Sequence, residues 1–158
     1  MTNFQIRDAK PQDCGMIARR LREEHLGAVR LLGISNHHEI RRCFEDSWYA
    51  KAWLHDGELL GVGGVTGPIL SSQGALWLAL SHRVAKFPIE TFKEASRQVA
   101  HVSVFKRDLF CTLLPEDETA LRFANRLGFV QYSTTPIPYG AGRVILMKLR
   151  ETVLAKVA

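Results

Sequence analysis

Two adjacent residues, Asp56-Gly57, constrain this chain more than any other feature. They stand between the runs YAKAWLH and ELLGVGGVTG. An Asp-Gly pair so flanked is the strongest short-range signal for a two-residue β-hairpin, because both central positions of the turn need positive φ. GPILSSQG then turns the chain again into ALWLALS, so three consecutive strands form an antiparallel meander. The glycines of GVGGVTG fall inside a strand pattern and lack the G-x-G-x-x-G spacing of a nucleotide loop, which marks a bulge or a close backbone approach.

Helices flank the meander. FQIRDA is a short first strand, and PQDCGMIARRLREEHL is a helix with Asp13 as its N-cap, Cys14, Ile17, Ala18 and Leu21 on one face and His25 in its last turn. GAVRLLGIS reads as a loop. Ile40, Cys43, Phe44, Ser47 and Trp48 mark a second amphipathic helix by their i, i+3, i+4, i+7, i+8 spacing. Ile89, Phe92, Ser96 and Val99 predict a long helix from Pro88 to about Lys106. The strand LFCTLL follows, then the helix PEDETALRFANRLGF with acids at its start and Gly128 just past its end. FVQYS and GRVILMKL close the sheet as a hairpin around TTPIPYGA. There is no repeat, low-complexity segment or linker, so residues 1–150 read as a single domain and 151–158 as a C-terminal tail.

Composition removes several function classes. No apolar run is long enough to span a bilayer, and MTNFQIRDAK lacks the apolar stretch of a signal peptide, so a cytoplasmic protein without a membrane partner is expected. Cys14, Cys43 and Cys111 are odd in number and widely spaced, which suits reduced thiols rather than disulfides or zinc. The histidines, His37-His38 among them, show no metal-ligand spacing, so no metal is expected. The net charge of +5 favours phosphate-bearing partners. Nucleic acid is not the expected partner, because Arg19, Arg20 and Arg22 precede Glu23 and Glu24, and Arg41 and Arg42 precede Glu45 and Asp46, as on solvated helix faces.

The order β-α-α-β-β-β-α-β-α-β-β, the DGELLGVGGV hairpin and the segment ETALRFANRLGF together resemble the GNAT N-acetyltransferase superfamily. ETALRFANRLGF is similar to that family's penultimate helix, A-x-x-x-Y-x-x-x-G-F, with Ala120, Gly128 and Phe129 in place. The resemblance implies an α/β (α+β) fold with a mixed, mostly antiparallel central sheet of about seven strands and about four helices. Within the superfamily, the block from Trp77 to Phe129 resembles divergent GNAT-like proteins of short-tailed phages, some of which are small internal virion proteins.

The resemblance also implies a site that can be compared part by part. GNAT enzymes hold the acyl-CoA pyrophosphate on backbone N–H groups of a glycine-rich loop at the start of the long helix, and the pantetheine arm enters where neighbouring strands splay. Here that loop is SHRVAKFP, and Phe87, Pro88 and Ile89 fill the critical positions. Proline donates no N–H, and the two large side chains crowd a phosphate. Arg83 and Lys86 retain charge, with His82 as a further donor, worth ~1 kcal/mol each if exposed; the alternative is a solvated basic loop. If acetyl-CoA binds, the implied contacts are Leu78, Leu80, Arg83 and Lys86.

The family's general-acid tyrosine corresponds to Ala124, which has no proton to give. Loss of such an acid costs a factor of about 10² to 10⁴. Tyr139 in PIPYG and Tyr132 are the candidate substitutes if the fold brings either to the cleft; otherwise they are packing residues. WLALS offers no base, Glu58 sits at a hairpin turn, and Pro115, Glu116, Asp117 and Glu118 stand where an asparagine often helps place the cofactor. Two functions follow. One is a GNAT-fold protein with a degenerate acyl-CoA site and no cofactor, acting through contacts with a protein partner in a phage virion or on a host target. The other is an active acetyl-CoA-dependent N-acetyltransferase with an unconventional loop. Apolar clusters outside clear elements, Leu31, Leu32 and Ile34 in one loop and Val153, Leu154 and Val157 in the tail, are candidate contact surfaces; the alternative for each is packing back on the core, which is the expectation for the loop.

Overall fold

A buried carboxylate sets the first helix. The structure, a computed structural model, describes residues 3–22, 36–136 and 143–150. Strand β1 (Phe4–Asp8) leads into α1 (Pro11–Ala18), whose opening proline has no N–H to leave unpaired. Asp13 is not the N-cap that the sequence predicts. Lys10 holds that place, and Asp13, 1% exposed, turns back to accept the Lys10 N–H at 2.7 Å and the Arg7 guanidinium at 2.7 and 2.9 Å. Burial pushes the Asp13 pKa up, but the Arg7 and Lys10 hydrogen bonds and charges outweigh it and hold the carboxyl below its ordinary value.

The helix stops at Ala18, well short of the sequence expectation, because Leu21 is drawn into an antiparallel bridge with Ser81. The expected last turn with His25, and the loop with Leu31, Leu32 and Ile34, lie outside the described residues. In α2 (Asn36–Glu45), Ile40 faces the core while Arg41 pairs with Glu45 at 2.9 Å and Arg42 with Glu39 at 2.6 Å, the solvated face that the charge spacing predicts. Ser47 and Trp48 do not continue this helix but open β2 (Ser47–His55). The Ser47 hydroxyl donates to the Cys43 carbonyl at 2.6 Å and accepts the Trp77 indole N–H at 2.7 Å, which ends the helix and ties it to the sheet.

The meander is present as β2, β3 (Glu58–Thr66) and β4 (Gln73–Leu80), turning at Asp56 and Gly57 with φ of 50° and 78°. The strand glycines mark close approach: a Cβ on Gly63 would lie 2.9 Å from Leu78 Cδ1, and one on Gly61 2.7 Å from Leu80 Cδ2. Leucines on β4 therefore lie across bare backbone on β3. A 3₁₀ turn (His82–Lys86) leads into α3 (Pro88–Ser103), followed by β5 (Asp108–Leu113), α4 (Glu118–Leu127), β6 (Phe129–Pro136) and β7 (Arg143–Leu149). The long helix ends before Lys106, whose side chain is buried elsewhere.

Among the described residues the sheet has seven strands in the order β1-β2-β3-β4-β5-β7-β6, antiparallel everywhere except β4–β5. It is the mixed, mostly antiparallel α/β sheet with four helices that the sequence predicts. Helices α1 and α2 cover one face, with Ile17 and Ile40 against Ala52, Val62 and Ala79. Helices α3 and α4 cover the other, with Val99, Val102 and Ala124 against Val65, Leu109 and Met147. Among the described residues no helix is long and apolar enough to cross a membrane. The tail with Val153, Leu154 and Val157 lies outside them.

Asp13→Asn removes the charge that Arg7 and Lys10 share and should lower stability by roughly 2 kcal/mol in urea melts at neutral pH. Because the folded-state pKa of Asp13 is depressed, its contribution is present above the unfolded value of about 3.9 and is lost as pH falls through the folded one. The gap between wild type and variant should therefore narrow in acid, and a gap that stayed constant there would contradict the assignment.

Candidate functional site

Strands β4 and β5 run parallel but pair only at Gln73 with Asp108, Gly74 with Leu109 and Ala75 with Phe110. Beyond Ala75 they part, leaving the far edge of β4 open toward its carboxyl end. That edge is not left bare. Arg22 N–H donates to the Leu80 carbonyl at 3.0 Å, and His82 N–H donates to the Arg20 carbonyl at 3.0 Å. The Ser81 N–H meanwhile donates to Leu60 of β3 at 2.8 Å, so the Arg20–Arg22 segment lies on the side of β4 away from β3. It is a short added strand in the gap between β4 and β5.

A salt bridge latches this segment to the other side of the gap. Arg22 Nη2 lies 3.1 Å from Asp117 Oδ2, and both side chains are largely buried. Asp117 is the N-cap of α4, just past β5, and its other oxygen accepts the Ala120 N–H at 3.1 Å. One carboxylate thus caps a helix and anchors the strand that spans the cleft.

Several backbone donors of the expected phosphate loop are bound within the chain. Ser81 is fully buried, and its Oγ accepts the Arg83 N–H at 3.2 Å while its carbonyl accepts that of Val84 at 3.1 Å. The Phe87 N–H donates to Val84 at 2.9 Å. With His82 bound to Arg20 and proline at the first position of α3, five successive or near-successive positions, His82, Arg83, Val84, Phe87 and Pro88, offer no spare N–H to an anion. Of the two side chains expected to crowd a phosphate, Phe87 stacks on His55 with ring centroids 4.0 Å apart, and Ile89 stands on the outer surface.

The charges have partners too. Arg83 pairs with Glu58, which also takes Arg20 at 3.4 Å, so the carboxylate at the hairpin turn joins two arginines rather than standing alone in solvent. Arg20 and Arg22 thereby reach acids distant in sequence, and Glu23 and Glu24 lie outside the described residues. Lys86 is exposed and has no ion pair among the described residues. Leu78 and Leu80 face α3 as part of an apolar cluster, and the Leu80 carbonyl is the acceptor used by Arg22.

Candidate acids and nucleophiles do not converge on this gap. Ala124 is buried in the core beneath α4. Tyr132 is 62% exposed on β6, its ring 5.6 Å from Phe110, at the level where β4 and β5 are still paired and not where they part. Tyr139 lies outside the described residues. Burial pushes the Cys111 thiol up to about 12, and burial followed by the nearby Glu39 carboxylate pushes Cys43 up to about 11, so neither forms a thiolate near neutral pH. Among the described residues no three His, Cys, Asp or Glu side chains gather as a metal site. Leu21, Arg22, Ser81 and Asp117 form the feature that sequence reasoning missed. Its one visible signal is a capping aspartate that follows β5, and nothing local links it to Arg22.

No family model matches the sequence, and no curated protein matches it. Solved structures do match in shape. A chimera of spermidine N-acetyltransferase SpeG from Vibrio cholerae and hSSAT superposes with a TM-score of 0.73 at 9% identity, over 97% of this chain and 98% of that one. A GNAT-family acetyltransferase from Bacillus anthracis gives 0.70 at 10% identity, over 96% and 99%. AAC(6′)-Ib in complex with ribostamycin and coenzyme A gives 0.68 at 12% identity, over 98% and 97%. The architecture is that of the GNAT acetyltransferases. At these identities the likeness establishes the fold, and the site must be judged from its own residues.

Asp117→Asn keeps an oxygen for the Ala120 N–H but removes the charge that holds Arg22. Amide hydrogen exchange at Arg22 and His82 should then speed up by about tenfold or more, while amides in the middle of α4 keep their protection. Equal acceleration throughout α4 would mean that Asp117 acts only as a cap.

Proposed function

We propose that this chain is a GNAT-fold protein whose acyl-CoA groove is occupied by its own backbone, with weak or no acetyltransferase activity, and that it acts by contact with another protein. The observation that carries this reading is the Arg20–Arg22 strand on the open edge of β4, latched by Arg22 to Asp117. In this reading acyl-CoA does not fit the residues present. The Leu80 carbonyl and the His82 N–H that would meet an extended arm are already paired, and the Arg83, Val84 and Phe87 N–H groups of the loop are bound within the chain. The resemblance of the Trp77–Phe129 block to GNAT-like phage proteins supports a role in a virion or on a host target, inside the host cytoplasm or the particle.

One observation favours a second reading. β4 and β5 do part after Ala75, so withdrawal of the Arg20–Arg22 strand would leave a groove. The chain would then be an acetyl-CoA-dependent N-acetyltransferase with an unconventional loop, and a polyamine, the substrate class in the name of the SpeG relative, would be a sensible first acceptor.

Millimolar acetyl-CoA separates the two. A ligand at about 100 times its Kd adds roughly 2.7 kcal/mol, which raises Tm by roughly 5–10 °C in a domain of this size. The expected result is an unchanged Tm and no thiol release with spermidine or a panel of primary amines. A clear rise in Tm with thiol release establishes the enzyme instead.

A further inference from the structure

Among the described residues Lys106 is the largest fully buried side chain, and no carboxylate there pairs with it. At 1% exposure its ammonium donates to the carbonyls of Pro68 at 2.6 Å, Ile69 at 3.1 Å and Ser71 at 2.5 Å, and it lies 5.5 Å from the Trp48 ring. Taking an ammonium out of water is costly, and three carbonyls and an aromatic face replace its hydration shell. What this arrangement fixes is the turn between β3 and β4. With its carbonyls drawn inward, the turn holds Ile69 and Leu70 outward, 72% and 99% exposed. Val104 and Phe105, immediately before Lys106, are 70% and 59% exposed, and Phe105 is braced by the edges of Trp48 and His101 at 6.1 and 5.6 Å. Two pairs of large apolar side chains therefore flank one buried lysine, at the end of the sheet remote from the β4–β5 gap.

A gathered apolar surface held on rigid backbone is the mark of a contact site, whereas isolated exposed apolar residues are ordinary. Charge identifies what it meets. Along α3, Lys93, Arg97 and His101 recur at i, i+4 and i+8 on the solvent side and lead to Phe105, and Arg107 follows. The carboxylates nearby offset Arg97 but leave Lys93 and Arg107 without a bound acid among the described residues. Glu94 is buried and bound to Arg97 at 2.6 Å and Gln98 at 2.8 Å, Asp108 is paired with Lys148 at 3.4 Å, and Glu90 sits near the far end of the helix. Lys93 and Arg107 have no ion pair among the described residues. The ridge repels a second copy of a chain that carries +5 and attracts carboxylates.

We propose that Ile69, Leu70, Val104 and Phe105 dock an acidic, amphipathic segment of another protein, whose apolar side chains seat on these four while its carboxylates face the α3 ridge. The proposal rests on the reading that the chain acts by protein contact, and supplies the surface and the partner's chemistry.

The probes are synthetic: a helical peptide with leucines on one face and glutamates on the other, the same peptide with lysines for glutamates, and polyglutamate. Binding to the full chain is read by fluorescence anisotropy at physiological salt, with wild type beside Leu70→Glu, Phe105→Glu and the double variant Lys93→Glu with Arg107→Glu. All four positions are exposed, and melting curves check that each variant is folded. The glutamate–leucine peptide should bind wild type at least about tenfold more tightly than either other probe, and each variant should lose at least about tenfold. No binding of that peptide, equal binding of the lysine peptide, or unchanged affinity in Leu70→Glu overturns the proposal. Sedimentation showing a dimer that Leu70→Glu dissolves would also overturn it and give the surface to a second copy. Acetyl-CoA is titrated in parallel: if it raises Tm while the peptide results hold, the closed-groove reading fails and the docking surface stands.

Discussion

The Arg22–Asp117 salt bridge is the point at which the two halves of this sheet are held together at their open end. On one side of it is the meander β2–β4 with α1 and α2, and on the other are β5, α4 and the closing hairpin. The parallel pairing of β4 with β5 covers only three positions, so the backbone ladder does not hold the halves together beyond Ala75. The Arg20–Arg22 strand supplies further hydrogen bonds along β4, and the guanidinium carries the connection across to the N-cap of α4. Because both side chains are largely buried, removing one partner would strand the other charge away from water, which makes the pair a determinant of geometry more than a source of net stability.

The same economy of backbone groups governs the neighbouring loop. A helix N-terminus binds anions only through N–H groups that have no other partner. The 3₁₀ turn after β4 consumes those groups locally, through Ser81 Oγ and the carbonyls of Ser81, Val84 and Arg20. Proline at the start of α3 then completes a helix entry that leaves little to offer a phosphate. Arg83 and Arg20 converge on Glu58, so the remaining positive charge of the loop faces a carboxylate already in place. The β4 edge, the N–H groups of His82, Arg83, Val84 and Phe87 and the charge of Arg83 are thus engaged within the chain, and Lys86 is left exposed.

Local signals made much of this fold legible. Asp56-Gly57 fixed the hairpin because its two positive φ values have few other solutions, and the spacing of apolar residues fixed α3 and the order of strands and helices. Pro88 marked the start of α3, where its missing N–H costs nothing. Reasoning from spacing failed where tertiary contacts override it. Leu21 continues the apolar face of α1 in sequence, yet the free edge of β4 recruits it as strand; Ser47 and Trp48 fit the face of α2, yet the Ser47 hydroxyl ends that helix. Arg20 and Arg22 also reach Glu58 and Asp117, carboxylates of distant elements that no periodicity encodes.

Distribution of the basic residues connects the closed cleft with the far end of the molecule. Arg7, Arg20, Arg22 and Arg83 are committed to Asp13, Glu58 and Asp117 around α1 and the gap, and Lys106 is committed to carbonyls. Charge engaged in this way is screened by its partner and exerts little field at a distance. The net charge of +5 therefore weighs most where basic groups lack acids, as at Lys93 and Arg107 on and beyond α3. Lys106 gives that end a second property, since its hold on the β3–β4 turn places Ile69 and Leu70 outside a core that could otherwise have taken them in. Arg107 and the exposed Ile69, Leu70, Val104 and Phe105 thus lie together away from the cleft between β4 and β5, while Lys86 and Lys93 lie nearer to it.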